Sequence, residues 1–198
     1  MMTTTEQSLP LRERKKLRTR QALAETAVAM FTERGFDATT LDELVDAVEV
    51  SKRTFFRNFS SKEDVALTAI KQLWETYLDV LAEQPPSGPL LGVLKDALLT
   101  TLGRLDDHWY RQFLPTVRLT EGCAALHAHS LRYCAEVKAQ IVHILGGGPD
   151  LGLRLLVEVV IGTWNCALAE WSPSGERDLL PVLVNRAFDT LPAALALE

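Results

Sequence analysis

The stretch VSKRTFFRNFSSKE, residues 50–63, places cationic side chains among aromatic rings. On a helix that turns 100° per residue, Phe55 and Phe59 share one face, and Arg53 and Arg57 lie nearly opposite. Guanidinium groups bind phosphate oxygens and the hydrogen-bonding edge of guanine, whereas buried rings supply apolar contact area. The spacing therefore predicts a short helix that is anchored by its rings and displays positive charge outward.

Helix signals before this stretch complete a helix-turn-helix layout. Ser51 is a good N-cap for the short helix, and Thr40 and Glu43 have the capping-box spacing that opens the helix before it. An earlier helix pattern begins at Leu11 and stops at Gly35. Because so short a helix does not persist alone in water, its rings must pack on the two preceding helices. A three-helix bundle with a basic rim explains the same pattern without DNA, and both interpretations remain open.

Positive charge is concentrated at one end of an acidic chain. The 198 residues carry a formal net charge of −5, but residues 1–62 hold 11 Lys and Arg against 9 Asp and Glu. Six cations fall within residues 12–20, RERKKLRTR. From these we expect Arg12, Lys15 and Lys16 to contact phosphates and to add salt-dependent affinity. A solvated helix start is the alternative interpretation of this run.

No pattern typical of catalysis or metal binding accompanies the basic stretch. Cys123 and His127 are four residues apart, but one such pair supplies too few ligands for a metal, and the chain has no C-x-x-C. The nucleophile-elbow, H-E-x-x-H and phosphate-loop motifs do not occur either. We therefore expect no metal, no cofactor and no enzymatic activity.

Composition indicates a globular cytoplasmic protein. Apolar residues make up 47% and charged residues 24% of the chain. We find no apolar run near the ~20 residues that cross a bilayer, and the N-terminus does not resemble a secretory signal, so no membrane partner is expected. The three cysteines, an odd number, fit reduced thiols better than a disulfide framework.

Helical periodicity without strand-like alternation predicts an all-α fold of about nine helices. We expect a disordered arm over 1–10, a helix-turn-helix DNA-binding domain over 11–62 and a helical effector-binding and dimerisation domain over 63–198. A fourth helix of about twenty residues should start at Ser61 and end before Pro85. Five further helices are expected over about 90–106, 108–119, 123–145, 150–171 and 176–190.

The segment from about Leu17 to Leu67 resembles the DNA-binding domain of the tetracycline-repressor (TetR) family of bacterial transcription regulators. The matching letters are FTERGFDATTLDELVDAVEVS, KRTFFRNF and SSKED, roughly fifty residues with several fixed spacings. The resemblance implies an all-α homodimer that binds a palindromic double-stranded DNA operator and a small-molecule effector. It also implies a ligand-responsive regulator, most often a repressor, that acts in the bacterial cytoplasm and joins the nucleoid when bound to DNA.

The resemblance assigns roles position by position. Thr40 and Lys62 match phosphate contacts of the family, and Lys52 and Arg53 fall where it reads base edges or backbone. Phe56 stands where the family usually has a tyrosine, and Arg53 where it often has glycine. Phe56 can then meet only an apolar group such as a thymine methyl, whereas Arg53 can bind guanine through two hydrogen bonds. The predicted DNA-binding residues are Arg12, Lys15, Lys16, Thr40, Ser51, Lys52, Arg53, Thr54, Phe56, Arg57, Asn58 and Lys62.

Aromatic and polar side chains are scattered over the later helices, as in a cavity with apolar walls and a few polar anchors. Ordinary core packing explains the same spacing, so pocket and core remain alternatives for each residue. The predicted effector-pocket residues are Trp74, Tyr77, Trp109, Phe113, Val117, His127, Leu131, Cys134, Trp164 and Asn165.

Residues 151–171 are apolar nearly all round, which indicates burial on more than one side. Paired with the final helix, they could form half of a two-fold four-helix bundle with a second subunit, the way in which the family joins its subunits. Gly162 would let the two helices approach closely. The predicted dimer-interface residues are Val157, Ile161, Gly162, Leu168, Leu183 and Phe188.

The predicted mechanism is a population shift. Two recognition helices must lie about 34–36 Å apart to enter successive major grooves, and a ligand that favours one tilt of the fourth helix changes that spacing. Two rivals remain: a module that binds another protein through its basic face, and an all-α enzyme or carrier built on the C-terminal helices. Specific DNA binding would exclude the first, and function that survives deletion of residues 1–62 would support the second.

Overall fold

A computed structural model describes residues 10–83, 87–148 and 150–196, and within these ranges the fold is all-α, with ten helices and no strand. Apart from Pro10, the predicted disordered arm lies outside the described residues. The helices are α1 (Leu11–Arg34), α2 (Leu41–Ala47), α3 (Lys52–Asn58), α4 (Lys62–Ala66), α5 (Thr68–Glu83), α6 (Leu90–Arg104), α7 (Asp107–Gly122), α8 (Ala124–Ile144), α9 (Leu151–Trp171) and α10 (Leu179–Ala194).

The predicted caps begin the two helices of the helix-turn-helix motif. Thr40 and Glu43 form the capping box of α2: the Thr40 hydroxyl accepts from the Glu43 N–H at 3.2 Å, and the Glu43 carboxylate accepts from the Thr40 N–H at 2.8 Å. The Ser51 hydroxyl accepts from the Thr54 N–H at 3.1 Å and so begins α3. These side chains satisfy backbone donors that have no partner inside the helix.

The turn between α2 and α3 uses a left-handed residue that is not glycine. Glu49 has φ 55°. Its N–H donates to the Asp46 carbonyl at 3.0 Å, and the Val50 N–H donates to the Val45 carbonyl at 2.9 Å. This pair of bonds is the Schellman arrangement, which satisfies the last carbonyls of α2 and redirects the chain into α3.

The predicted twenty-residue fourth helix is wrong in one respect, because the structure divides it into α4 and α5. Leu67 lies between them with φ −91° and ψ 14°, and its side chain is fully buried. The Thr68 hydroxyl donates to the Val65 carbonyl at 2.7 Å, a local bond that competes with regular helix geometry. This division raises the count from the predicted nine helices to the ten described.

Two apolar clusters form the interior. The smaller one joins α1, α2 and α3 to α4, and includes Phe31, Leu44 and Phe55. It also takes Leu126 from α8, whose side chain is 0% exposed, although this residue lies far beyond the predicted domain boundary at residue 62. The helix-turn-helix core is therefore completed by the helical domain.

The larger cluster lies among α5–α10, where α9 packs along α10. Asp150 begins α9 by accepting from the N–H groups of Gly152 and Leu153 at 2.8 and 3.3 Å. By length and hydropathy α9 could cross a membrane, the single described helix with this property, but core helices share it. Here its buried face belongs to the larger cluster.

Candidate nucleic-acid interface and effector site

The short helix α3 divides into an inner and an outer face as the sequence predicts. Phe55 is 0% exposed and Phe59, at its C-cap, is 2% exposed, with their ring centroids 5.7 Å apart. Arg53 and Arg57 are exposed on the other side. Phe56 is 56% exposed. Rings anchor the helix, and guanidinium groups face outward, so the predicted division is confirmed.

The outer face of α3 is held in place by its neighbours. Lys52 forms an exposed ion pair with Asp42 of α2, with nitrogen and oxygen 2.6 Å apart. Phe56 meets Phe55 edge to face, at 5.4 Å between centroids. Arg53 and Arg57 have no ion pair in the described part of the chain. The two arginines are thus the cations that remain available to a partner.

The start of α1 adds positive charge beside α3. Arg12, Lys15 and Lys16 are exposed, and together with Arg57 they line a depression of about 240 Å³. Glu13 and Thr19 complete its lining. The basic run and the end of α3 therefore form one continuous cationic surface, of the kind that attracts a polyanion.

Two predicted DNA contacts are corrected by the structure. Asn58 is 9% exposed, and its amide nitrogen donates to the Thr54 carbonyl at 2.7 Å. Its backbone carbonyl accepts from Arg20, whose guanidinium carbon lies 4.4 Å from the Phe59 ring centroid. Asn58 therefore ties α3 to α1, and its side chain is not available on the outer surface.

Lys62 has a similar internal role. Its ammonium group donates to the carbonyls of Phe36 and Thr39 at 2.6 and 2.9 Å, and lies 4.1 Å from the Phe36 ring centroid. These bonds fasten the start of α4 to the loop between α1 and α2. Thr40, by contrast, is exposed, although its hydroxyl is already used in the capping box.

The α4–α5 junction carries a chain of polar contacts. Burial opposes the ionisation of Asp64, but hydrogen bonds from Lys71 and Ser60 outweigh burial and hold its pKa below the ordinary range. The Ser60 N–H and hydroxyl reach the carboxylate at 2.6 and 2.9 Å, and Lys71 pairs with it from α5. The Lys71 ammonium lies 5.2 Å from the Tyr133 ring centroid, and burial raises the pKa of that phenol.

Tyr133 also lines a small, partly open cavity of about 80 Å³ between α5, α7, α8 and α9. Burial raises the pKa of the neighbouring Cys134 thiol. Two indole rings and one phenyl ring face each other here: the Trp74 and Trp164 centroids are 6.1 Å apart, and those of Phe113 and Trp164 are 6.3 Å apart. The lining residues are Ile70, Leu73, Trp74, Phe113, Ser130, Tyr133, Cys134, Trp164, Asn165 and Leu168.

Half of the predicted pocket set lies in this cavity, and the other half does not. Trp74, Phe113, Cys134, Trp164 and Asn165 line the cavity. The predictions for Tyr77 and Val117 are corrected, because these side chains pack in the core, and those for His127 and Leu131 because they lie on the surface. Trp109 is buried outside this cavity and lines a different depression, formed by α1, α5 and α7. The pocket prediction did not include five lining residues: Ile70, Leu73, Ser130, Tyr133 and Leu168.

The predicted dimer set is also corrected. Val157, Ile161, Leu183 and Phe188 are buried in the protomer's own larger cluster, which leaves them at most 5% exposed. Leu168 lines the aromatic cavity, while Gly162 is exposed. Leu151, Leu155, Gly162 and Cys166 are exposed on α9, and Val182 is exposed on α10. We call these five residues, of which Gly162 alone belongs to the predicted dimer set, the α9 stripe.

No group of three or more His, Cys, Asp or Glu side chains in the described ranges could hold a metal ion. Nothing in this geometry requires a cofactor.

Comparisons with known proteins agree with this geometry. The family model described as "Bacterial regulatory proteins, tetR family" matches residues 23–69. The HTH-type transcriptional regulator TcmR of Streptomyces glaucescens is 32% identical over 194 residues, which cover 91% of this chain and 86% of TcmR. The biofilm operon negative transcriptional regulator IcaR of Staphylococcus epidermidis is 19% identical over 119 residues, 60% of this chain and 63% of IcaR.

Solved structures share the fold. A transcriptional regulator from Aquifex aeolicus has a TM-score of 0.58 at 19% identity, and the match covers 89% of this chain and 99% of that one. A TetR-like transcriptional regulator from Rhodococcus sp. RHA1 has a TM-score of 0.51 at 20% identity, over 88% and 96%. The similarity to TcmR, which extends over most of both chains, and the family model show that the chain belongs to the tetR family of bacterial regulatory proteins, and is a DNA-binding transcriptional regulator that acts in the cytoplasm and not an enzyme.

Proposed function

We propose that this regulator is a repressor that binds a palindromic double-stranded DNA operator as a homodimer and is released by a small apolar or amphipathic effector. The observation that carries the proposal is the division of α3, with Phe55 and Phe59 buried and Arg53 and Arg57 exposed. Repression is supported by the relative IcaR, a negative transcriptional regulator. On its operator the dimer would be associated with the nucleoid.

In this proposal the exposed residues of α3 and the start of α1 have different roles in DNA binding. Arg53, near the start of α3, reads a guanine in the major groove, a bidentate contact worth about 1–3 kcal/mol of discrimination. Phe56 offers an exposed ring to a thymine methyl. Arg57 and the start of α1 neutralise phosphates, which gives affinity and salt dependence without sequence preference. Ser51, Lys52, Thr54 and Thr40 lie at the margins of this surface.

The second subunit would cover the α9 stripe. Leu151, Leu155 and Val182 are 66%, 57% and 58% exposed, and unpartnered apolar side chains of this size favour burial between subunits. Gly162 has no atom within 4 Å of an added Cβ, so a helix of the partner could approach closely there. The two-fold arrangement then places two copies of α3 on one face of the dimer.

The aromatic cavity is the proposed effector site of the helical domain. Its 80 Å³ is far below the roughly 300–1,000 Å³ of typical ligand sites, so an effector must expand it. Expansion displaces Tyr133, which contacts Lys71, and Lys71 pairs with Asp64 beside the recognition helix. The effector releases DNA to the extent that it binds the expanded state more tightly than the closed one.

The proposal is tested by selecting operators from randomised double-stranded DNA with the full chain. Fluorescence anisotropy on the selected DNA then compares the wild type with Arg53→Ala/Arg57→Ala and with the control Arg118→Ala, an exposed arginine on α7. We expect the double variant to lose about a hundredfold or more in affinity, and the control to lose little. Failure to enrich any sequence at moderate salt would favour the protein-binding module instead.

A further inference from the structure

A second depression lies between the two domains, outside the aromatic cavity. It has a volume of about 610 Å³ and is formed by α1, α5 and α7. This volume falls within the range of small-molecule sites. Its floor consists of the buried lining residues Val28, Ala69, Trp109 and Thr116, of which the first three are apolar. Its rim is polar, with Gln21 and Glu25 on α1, Gln72 and Glu75 on α5, and His108, Arg111 and Gln112 on α7.

One side of this interdomain groove carries a polar bridge between the domains. The Nε2 atom of His108 lies 3.1 Å from a carboxylate oxygen of Glu25 and 3.0 Å from the amide nitrogen of Gln21. The carboxylate requires a proton on that ring nitrogen, whereas the amide N–H requires a free lone pair. A single nitrogen cannot satisfy both partners at once. In either tautomer the bridge therefore leaves one of the two side chains, Glu25 or Gln21, without this partner.

The other charged groups of the groove differ in how much binding capacity they retain. Arg20 is committed to the Asn58 carbonyl and the Phe59 ring, and the Asp106 carboxylate accepts from the Trp109 N–H at 2.9 Å. By contrast, the side chains of Arg111, Gln72 and Gln112 make no hydrogen bond or ion pair with described residues, and Glu75 makes no ion pair.

The available charge consists of one guanidinium and two carboxylates around an apolar floor. A ligand with only positive charge would meet Arg111, and a ligand with only negative charge would meet Glu25 and Glu75. A molecule that carries both charges can satisfy both. We propose that this groove binds a small zwitterion of the amino-acid class, with its carboxylate on Arg111, its ammonium group on Glu25 and Glu75, and its apolar part on the floor.

Binding there would act on the position of the DNA-reading domain. The ligand's ammonium group competes with His108 for Glu25, and so weakens the bridge between α1 and α7. Because α1 carries the basic start and supports α3, a change in this bridge shifts α3 relative to the helical domain. The groove is thus a second regulatory site, separate from the aromatic cavity, and its ligand binding does not depend on whether the proposed operator binding is correct.

The experiment measures binding to the full chain without DNA. Isothermal titration and thermal shift assays screen the twenty common amino acids and a set of dipeptides at up to about 10 mM. For each compound that binds, the measurement is repeated with its amide, which lacks the carboxylate, and with its N-acetyl form, which lacks the ammonium group. Both derivatives should bind at least about tenfold more weakly than the parent.

Variants then test which side chain binds the carboxylate of the ligand and which binds its ammonium group. Arg111→Gln should weaken the parent ligand by at least about tenfold and leave the affinity of the amide unchanged, because the lost contact is the carboxylate's. Glu75→Gln should weaken the parent ligand and leave the affinity of the N-acetyl form unchanged, because the lost contact is the ammonium group's. Arg118→Gln, on the same helix but outside the groove, is the control for the loss of a positive charge. Because Arg118 donates to the Ser172 and Pro173 carbonyls at 2.9 and 3.3 Å, the melting temperature of this variant is measured alongside. Binding by no compound of the screen, or equal affinity in Arg111→Gln and the wild type, would overturn the proposal.

Discussion

The outer faces of α3 and α9 are the two surfaces that this chain is proposed to offer to partners, and they are specified in different ways. Along α3 the residue types alternate sharply, so that burying Phe55 necessarily exposes Arg53 and Arg57. Along α9 apolar residues occur all round, so that Val157 and Leu155 are equally suited to burial. The structure buries Val157 at 1% exposure and leaves Leu155 at 57%.

This difference shows when the sequence of a helix alone determines which of its faces is buried. A helix with strong contrast between its faces has one favourable orientation, whereas a helix without contrast takes its orientation from its neighbours. In α9 the neighbour is α10, along which it packs. The proposed DNA-reading face is therefore encoded locally, and the proposed dimer face is encoded by the packing of the whole helical domain.

The division of α3 into a buried and an exposed face is tested by comparing its two adjacent rings. Phe55→Ala removes a fully buried ring and should cost about 3–5 kcal/mol in the free energy of unfolding. Phe56→Ala removes a ring that is 56% exposed and should cost under about 1 kcal/mol. Urea denaturation of both variants measures the difference. Equal costs would mean that the two rings are not divided between core and surface.

The contribution of the helical domain to the DNA-reading core is tested at Leu126. Leu126→Ala leaves a cavity in the helix-turn-helix core and should cost about 2–5 kcal/mol, although the residue lies on α8. Leu131→Ala, which truncates the exposed leucine of the same helix, should cost about 0.5 kcal/mol or less. Thermal denaturation compares them. A small effect at Leu126 would show that the two domains have independent cores.

The corrected dimer face is tested by Leu155→Glu. If Leu155 is buried between subunits, an unpaired carboxylate there should raise the dimer dissociation constant by about a hundredfold or more. Sedimentation velocity should then show a species near 22.0 kDa in place of one of twice that mass. Leu195→Glu, an exposed change outside the α9 stripe, is the control. A Leu155→Glu dimer as stable as the wild type would remove this face from the interface.

The Asp64–Lys71 pair supplies a prediction about pH. Because the folded pKa of Asp64 is lowered, its stabilisation is present above the unfolded value of about 3.9 and is lost as the pH falls through the folded value. Lys71→Met should cost about 1–3 kcal/mol near neutral pH and should reduce this acid-dependent loss. Melting temperatures measured from neutral pH to below pH 4 give both quantities. A Lys71→Met profile parallel to that of the wild type would exclude this coupling.

The smallest predicted effect separates folding from DNA contact at Ser51. Ser51→Ala removes the N-cap of α3 and should cost about 1 kcal/mol, whereas Ser51→Asp keeps a capping oxygen and most of the stability. The added negative charge should nevertheless weaken DNA binding. Denaturation and anisotropy are measured on the same preparations. Normal operator affinity in Ser51→Asp would place the start of α3 away from the phosphates.

The boundaries of most helices could be predicted from the sequence because strong helix-ending signals mark them. The prediction of 150–171 for α9 agrees with Leu151–Trp171, and 123–145 for α8 agrees with Ala124–Ile144. Glycine and proline clusters end these helices, and their effect on the backbone is local. The final helix, predicted over 176–190, lies at Leu179–Ala194, since no comparable signal marks either end.

The roles that could not be predicted depend on contacts between residues that are distant in sequence. Lys62 donates to carbonyls more than twenty residues earlier, and Arg20 reaches the Asn58 carbonyl across a similar span. A lysine or an asparagine beside a basic helix looks like a DNA contact until its partner is known. The aromatic cavity is similar, because which of several rings lines it depends on the angle between four helices.

The central claim, that α3 reads base edges through Arg53, is tested most directly by a base-by-base affinity profile. The wild type and Arg53→Ala are titrated by anisotropy, at one salt concentration, against the selected operator and every single base-pair substitution of it. We predict that the wild type discriminates strongly at one guanine-containing position per half-site, and that Arg53→Ala loses discrimination at that position alone. A uniform loss of affinity across all the DNA sequences would contradict the claim and reduce Arg53 to a phosphate contact.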